Sequence, residues 1–148
     1  HTPKAVQISH RAAWAQNLGI RAALKLPDDC AGVTWMTLYH DMGLVGCTLL
    51  PAMLGEDMLL FRPETFISRP LAWLQAISDL QQPVLNSAPD FALRHCVERV
   101  KGEQAATLDL SNWYWLGCGA ERVRPETLKA FSAHFSASGF QDVAFGPC

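Results

Sequence analysis

A histidine followed directly by an aspartate, His40 and Asp41, is the clearest pair in the sequence that could move a proton. An aspartate can orient an imidazole so that the ring acts as a general base, and the pair follows a strand-like run. Side chains of sequence neighbours usually point apart, so a purely structural role stays open. The pair makes His40 a candidate catalytic residue.

A glycine-rich turn, Gly117-Cys118-Gly119-Ala120, could let a flat ligand such as a nucleotide approach the backbone. Short glycine-rich turns also occur wherever φ must be positive, so this pattern alone does not establish a nucleotide site. The five cysteines form no CxxC pair and have no companion histidine at metal spacing, which favours reduced thiols and no metal site. A GxSxG motif is absent from the sequence, which argues against a serine hydrolase.

Strand-like and helix-like patterns alternate along the chain, which predicts an α/β fold of repeated βα units with a mainly parallel sheet. The predicted strands are residues 5–8, 33–38, 58–61, 83–87, 113–116 and 143–145. Predicted helices cover residues 43–54, 69–80, 90–100 and 125–137, with a linker at 102–107 and a helix stop at Gly139. The first predicted helix is capped by Ser9, and its apolar face consists of Ala12, Ala13, Ala15, Leu18, Ala22 and Ala23.

Ligands of open parallel sheets bind beyond the carboxyl ends of the strands, where loops form a crevice. This rule selects the loops at residues 39–43, 86–91 and 117–121, and whatever follows Cys148. We therefore expect the candidate site residues to converge at one edge of the sheet.

The bulk composition limits the function classes. The 148 residues suffice for one domain, 49% of them are hydrophobic, and the formal net charge is only −2. Neither a basic block nor an apolar run long enough to cross a bilayer is present, so nucleic-acid binding and a membrane span are not expected. Reduced thiols favour the cytoplasm. The first residue is not Met and the last residues are strand-like, which predicts an internal segment of a longer protein.

Five motifs, in this order, resemble the fatty acyl-AMP ligases of the adenylate-forming superfamily. Residues 2–6 with Ser9-His10 resemble the TPKGV…SH tail of the phosphate-binding loop, and WMTLYHDMGLVG at 35–46 resembles WLPLYHDMGLIG. SAPDFA at 87–92 resembles SAPNFA, LDLSNW at 108–113 resembles LDLSSW, and GAERVR at 119–124 resembles GAEPVR. The resemblance covers essentially the whole chain.

This resemblance implies a partial AMP-binding N-terminal domain over residues 1–148, with the C-terminal domain and its catalytic lysine outside the chain. The intact enzyme would use ATP and Mg²⁺ to activate a fatty or related acid as an acyl adenylate. It would then pass the acyl group to the phosphopantetheine thiol of an acyl carrier protein, or to coenzyme A. The chain alone would be inactive. A setting in polyketide or nonribosomal peptide biosynthesis also fits the resemblance.

The resemblance also implies roles for particular residues. His40 would be catalytic, at the junction of acyl chain and phosphate. The residues that bind ATP or AMP would be Thr2, Lys4, Gly119, Ala120 and Glu121. The residues that line the acyl pocket would be Asp41, Met42, Gly43, Ser87, Ala88, Pro89 and Phe91.

Three residues depart from the family pattern: Ala5 replaces a glycine, Asp90 an asparagine and Arg122 a proline. Two alternatives stay open beside the fatty acyl-AMP ligase. One is a segment of an acyl-CoA ligase. The other is a non-catalytic acyl-binding or loading module of a larger synthase, for which Ala5 and Arg122 are the only support.

Overall fold

Five parallel strands form a single sheet in the order β2-β1-β3-β4-β5. The computed structural model describes residues 4–147. The strands are β1 (Ala31–Thr34), β2 (Asp57–Leu60), β3 (Val84–Ala88), β4 (Trp113–Cys118) and β5 (Phe145–Pro147). Helices connect the strands, so the predicted α/β fold with a parallel sheet is confirmed.

The helices lie on both faces of the sheet. They are α1 (His10–Leu24), α2 (Leu50–Leu54), α3 (Pro63–Ser68), α4 (Pro70–Ser78), α5 (Asp90–Arg99), α6 (Gly102–Ala105) and α7 (Pro125–Phe135), with a π-helix at Met42–Leu49 and short 3-10 turns at Ser136–Ser138 and Asp142–Ala144. Within residues 4–147, none of the helices has the length and the apolar run needed to cross a membrane.

The larger core lies between one face of the sheet and helices α3, α4, α5 and α7. Aromatic rings dominate it: Trp113 packs edge-to-face against Trp73 and Phe140, with ring centroids 5.3 Å apart in each pair. Such edge-to-face contacts add to the stabilisation from burial. A smaller cluster on the opposite face, Leu26, Cys30, Leu50 and Leu85, packs under α1 and α2.

A β-bulge at Tyr114 sends two tryptophans to opposite faces of the sheet. Strand β3 pairs Val84 with Trp113 but the next residue, Leu85, with Trp115, so Tyr114 is an extra residue in β4. Trp113 therefore enters the larger core, whereas Trp115 packs against the smaller cluster. Regular alternation would have placed both indoles on the same face.

Two predictions for the first fifth of the chain are wrong. Residues 5–8 are not a strand: residues 4–9 have no regular structure, and Val6 and Ile8 are exposed. Helix α1 is capped by Ser9 as predicted, but Ala12, Ala15, Leu18, Ala22 and Ala23 are exposed, and only Ala13 of the predicted face is half-buried. The buried residue is Asn17, whose side-chain amide donates to the carbonyl oxygen of Ala13 and to the sulfur of Met53 in α2.

Several element boundaries also differ from prediction. Helix α3 at Pro63–Ser68 was not predicted, and the predicted linker contains the short helix α6. The last strand begins at Phe145, after a 3-10 turn, because Val143 points into solvent. Gly117 and Cys118 are the last residues of β4 and not part of a loop. Gly139 ends its helix in the left-handed region at φ 83°, which confirms the predicted stop.

Candidate active site

A cavity of about 720 Å³ opens beside the carboxyl ends of β1, β3 and β4, between the sheet, α1 and the π-helix. Cavities of this size are typical of small-molecule sites. Its lining is mainly apolar and consists of Gln16, Ile20, Ala23, Leu24, Gly32, Val33, Thr34, His40, Asp41, Met42, Val45, Gly46, Cys47, Leu50, Pro51, Leu85, Asn86, Ser87, Trp115 and Ala120.

His40 and Asp41 lie at the rim of this cavity, just before the π-helix. The N–H of Met42 donates to Asp41 Oδ1 over 2.8 Å, so Asp41 caps the helix, and the same N–H lies 3.1 Å from His40 Nδ1. His40 Nδ1 is 3.0 Å from Asp41 Oδ1, and the imidazole is 43% exposed. The imidazole therefore stands at the cavity rim in reach of both water and a ligand.

The π-helix packs closely against the end of the preceding segment, and Gly43 makes this approach possible. A Cβ at position 43 would lie 2.9 Å from the carbonyl carbon of Thr37 and would overlap its oxygen. Gly43 is buried and does not line the cavity, whereas its neighbour Met42 does. The structure thus gives Gly43 a packing function, and it positions His40, Asp41 and Met42 beside the cavity.

A small polar cluster lies on the cavity wall where β1 and β3 end. The thiol of Cys47, on the π-helix, forms hydrogen bonds with Thr34 and Ser87. Burial raises the pKa of Cys47 above its usual 9.0, and these hydrogen bonds lower it by less. Cys47 is therefore a neutral thiol at physiological pH, and this part of the wall carries no charge.

Asp90 joins the end of β3 to the segment after β4. Its carboxylate is fully buried and accepts hydrogen bonds from the Arg124 N–H (2.8 Å), the Arg124 guanidinium (3.1 Å), Thr127 Oγ1 (3.1 Å) and Arg94 Nε (3.2 Å). Burial raises the pKa of Asp90, but these donors outweigh it, so the net pKa lies below the usual 3.8. The charged form of Asp90 therefore ties the two loops together.

Glu121 makes a second link between the same loops. Its Oε1 accepts a hydrogen bond of 2.6 Å from the N–H of Phe91, in the first turn of α5. A carboxylate at the amino end of a helix is stabilised by the helix dipole. Glu121 thus holds the turn after β4 against the start of α5, and it is not among the cavity-lining residues.

The turn at Gly119 and Ala120 brings backbone to the cavity rim. Ala120 is exposed, lines the cavity and has φ 63°, a left-handed conformation that is uncommon for a residue with a Cβ. Strained backbone at a cavity rim is a feature of ligand sites.

The structure brings five of the predicted site residues to one cavity: His40, Asp41, Met42, Ser87 and Ala120. Seven other predicted site residues do not line it: Gly43, Ala88, Pro89, Phe91, Gly119, Glu121 and the exposed Lys4. Thr2, also predicted, lies outside the described residues.

Sequence reasoning missed other lining residues, notably Gln16 and Ile20 of α1, Thr34, Cys47 and Trp115. The i, i+4 spacing of Gln16 and Ile20 places them on one helix face, but nothing in the sequence shows that this face borders a cavity. Trp115 was not predicted because the β-bulge that turns its indole to this face of the sheet cannot be recognised in the sequence. Among residues 4–147, no three His, Cys, Asp or Glu side chains cluster to hold a metal ion.

Comparison with known proteins identifies the family of the chain. Residues 2–144 match the AMP-binding enzyme family. The chain is 37% identical to a medium-chain-fatty-acid–[acyl-carrier-protein] ligase, JamA, of Moorena producens, over 99% of this chain and 24% of that protein. It is 34% identical to a putative acyl-CoA synthetase of Caulobacter vibrioides, over 97% of this chain and 25% of that protein.

Solved structures give the same result. A fatty acyl-adenylate ligase from L. pneumophila, in complex with acyl adenylate and pyrophosphate, superposes with a TM-score of 0.90 at 35% identity, over 99% of this chain and 26% of that chain. The adenylation domain of a keto acid-selecting NRPS module superposes with a TM-score of 0.83 at 27% identity, over 94% of this chain and 25% of that chain. The chain spans about a quarter of the length of the relatives it matches. It belongs to the AMP-binding enzyme family and is similar to its fatty acyl-AMP ligases.

Proposed function

We propose that this chain forms the acyl cavity and part of the nucleotide site of an enzyme that activates a fatty or related carboxylic acid with ATP. One observation carries the proposal: a mainly apolar cavity has its rim formed by the His40 loop, the end of β3 and the Ala120 turn. An apolar cavity suits an alkyl chain, and a rim of polar groups and backbone suits the carboxylate and the nucleotide.

The reaction joins a carboxylate oxygen to the α-phosphorus of ATP and releases pyrophosphate. The acyl adenylate then carries AMP as a leaving group, and a thiol can displace AMP to form a thioester. Because charge builds up on the phosphate oxygens, catalysis depends on positioned cations and hydrogen-bond donors. Mg²⁺, when bound, would neutralise part of that charge. Within residues 4–147, no group of three His, Cys, Asp or Glu side chains fits this ion.

We assign the proposed role of each residue from the loop or strand end on which it lies. His40 would contact the reacting carboxylate and phosphate, and Asp41 would hold the loop. Met42 and Ser87 would line the acyl chain, with Ala88, Pro89 and Phe91 supporting that wall from behind. Gly119, Ala120 and Glu121 would shape the adenine side, and Thr2 and Lys4 would belong to the loop over the phosphates.

The acyl acceptor is proposed from the relatives. Two of them are named as fatty-acid ligases of an acyl carrier protein, which favours a carrier-protein thiol as acceptor. Others are named acyl-CoA synthetase or fatty-acid–CoA ligase, so coenzyme A is the alternative acceptor. The NRPS adenylation domains among the structural neighbours fit a role in assembly-line biosynthesis. We place the chain in the large N-terminal domain of the intact enzyme and the enzyme in the cytoplasm.

The test is fatty-acid-dependent exchange of labelled pyrophosphate into ATP by the full-length protein. His40→Ala should lower the exchange rate by about a hundredfold while changing the melting temperature by only a few degrees, because a rim residue is lost and no core contact. Tyr39→Ala is the matched control, since Tyr39 is 93% exposed and does not line the cavity.

Two results would contradict the proposal. Wild-type protein that exchanges no pyrophosphate with any fatty acid, yet binds fatty acids, would support the non-catalytic acyl-binding module instead. A His40→Ala variant with unchanged turnover per folded molecule and a large loss of stability would make His40 a structural residue.

A further inference from the structure

Trp115 borders two cavities at once. The candidate acyl cavity of about 720 Å³ and a second cavity of about 330 Å³ are both lined by Trp115 and Leu24. No other residue in the described part of the chain lines both. The second cavity lies beside Tyr114 and Val143. The indole of Trp115 and the side chain of Leu24 are therefore the wall between the two spaces.

Two glycines hold the indole flat against the sheet. Gly117 of β4 and Gly146 of β5 are directly paired. A Cβ at Gly117 would lie 2.6 Å from Trp115 Cζ3, and a Cβ at Gly146 would lie 2.7 Å from Trp115 Cζ2. Both distances are far below van der Waals contact, so only glycine at these two positions leaves room for the ring. The ring thus spans β4 and β5 in a fixed orientation.

The other half of the wall is also fixed. The hydroxyl of Tyr114 lies 3.1 Å from the carbonyl oxygen of Leu24 and 2.9 Å from that of Lys25, so it can donate to either. Lys25 ends α1 in a left-handed conformation with φ 51°. The bulge residue of β4 therefore anchors the end of α1 beside the indole. The indole of Trp115 and the backbone of Leu24 are therefore both held by specific contacts.

We propose that Trp115, with Leu24, ends the acyl cavity and sets the longest acyl chain that the full-length protein accepts. This inference rests on the proposed function. The substrates would then be straight-chain acids whose last carbon lies against the indole of Trp115. A smaller residue at position 115 would join the cavities and expose further apolar surface, including Val143. Each additional buried methylene would then strengthen binding about fourfold.

The experiment measures a homologous series of saturated acids against the full-length protein, by calorimetric binding and by pyrophosphate exchange. Trp115→Ala should bind the acid two carbons longer than the wild-type limit about sixteenfold more tightly than wild type does, as burial of two further methylenes would produce. Trp115→Leu keeps apolar bulk and serves if the alanine variant does not fold. Trp14→Ala is the matched control, because Trp14 is a half-exposed residue of α1 that lines neither cavity.

The outcomes separate this inference from the proposed function. A longer maximum chain length in Trp115→Ala or Trp115→Leu, with that of Trp14→Ala unchanged, supports the proposal that Trp115 ends the acyl cavity. Folded variants at position 115 with the wild-type limit overturn it, whether or not the protein exchanges pyrophosphate. A shifted binding limit in a protein that exchanges no pyrophosphate supports the wall and contradicts the proposed activity.

Discussion

Asp90 shows how one residue that departs from the family pattern can be accommodated. A fully buried carboxylate is costly unless its oxygens are paired, and Asp90 accepts four hydrogen bonds, two of them from arginine side chains. The Arg94 and Arg124 side chains are each about half exposed, so their charges also remain solvated. The network explains how a buried carboxylate is tolerated at position 90, where the motif that this segment resembles has an amide.

Removing this carboxylate should destabilise the protein. Asp90→Ala leaves buried donors of Arg124 and Thr127 without an acceptor, and we expect a loss of about 3 kcal/mol in the free energy of unfolding. Asp90→Asn keeps one carbonyl oxygen and should cost about 1 kcal/mol. Urea denaturation of the full-length protein measures both changes. Equal losses in the two variants would show that the hydrogen bonds contribute little.

The lowered pKa of Asp90 also predicts a pH dependence. Because the carboxyl is more acidic in the folded state than its usual 3.8, the unfolded chain binds more protons as the pH falls. The stabilisation is thus complete well above pH 3.8 and is lost as the pH falls through the folded-state pKa. As the pH is lowered from 6, the free energy of unfolding should therefore fall more steeply for wild type than for Asp90→Asn. Parallel curves would contradict this assignment.

The π-helix is the element that shapes the rim of the cavity. Its backbone is rare, and such helices occur frequently at functional sites. Two glycines on it differ sharply: a Cβ at Gly43 would overlap the backbone of Thr37, whereas a Cβ at Gly46 would meet nothing within 4 Å. The close approach at Gly43 therefore sets where the helix begins and where His40 stands.

Alanine at these two positions makes a matched pair. Gly43→Ala should destabilise the protein by about 3 kcal/mol, because the obstructing atoms belong to backbone that cannot rotate away. Gly46→Ala should be neutral or stabilise by up to about 1 kcal/mol, since alanine restricts the unfolded chain. Thermal unfolding followed by circular dichroism compares the two. Destabilisation of the same size by both variants would mean that helix flexibility, and not packing, requires the glycines.

The element predictions succeeded where the pattern was local. Strands β2, β3 and β4 and helices α4, α5 and α7 follow from alternation and helical spacing, and the Ser9 cap and Gly139 stop follow from backbone chemistry. The strand predicted at 33–38 overlaps β1 only at Val33 and Thr34, because β1 covers Ala31–Thr34 and residues 35–38 are not strand. The π-helix was predicted only as a buried helix, because apolar spacing does not distinguish a π-helix from an α-helix. The strand predicted at residues 5–8 is wrong: their apolar side chains suit a strand, but among the described residues no strand lies beside them.

At the scale of the whole molecule, the parallel sheet explains why the site forms. Strands β1, β3 and β4 end at the same edge, so two residues 80 positions apart, His40 and Ala120, line one cavity. The sequence predicted this convergence from the strand rule alone. It could not predict that α1 borders the cavity, because this depends on how the helix packs. It also could not predict that the indole of Trp115 lines the cavity, because this depends on a one-residue bulge.

The arrangement of this cavity makes the role of Ala120 testable. Ala120 is exposed at the rim, whereas Ser87 is buried at the end of β3. An indole at position 120 should therefore obstruct the nucleotide side and leave the deeper acyl part open. In the full-length protein, Ala120→Trp should raise the KM for ATP by about tenfold or more, and the KM for the fatty acid by less than about threefold.

Arg122→Trp is the matched control for this change, because Arg122 is exposed on the same segment and does not line the cavity. It should leave both KM values close to wild type, which would show that a tryptophan on this segment is not harmful in itself. If Ala120→Trp raised the KM for the fatty acid and spared that for ATP, the turn after β4 would face the acyl chain. The adenine would then have to lie against the His40 loop. Both loops line the same cavity, and the acyl chain and the adenine cannot occupy the same part of it.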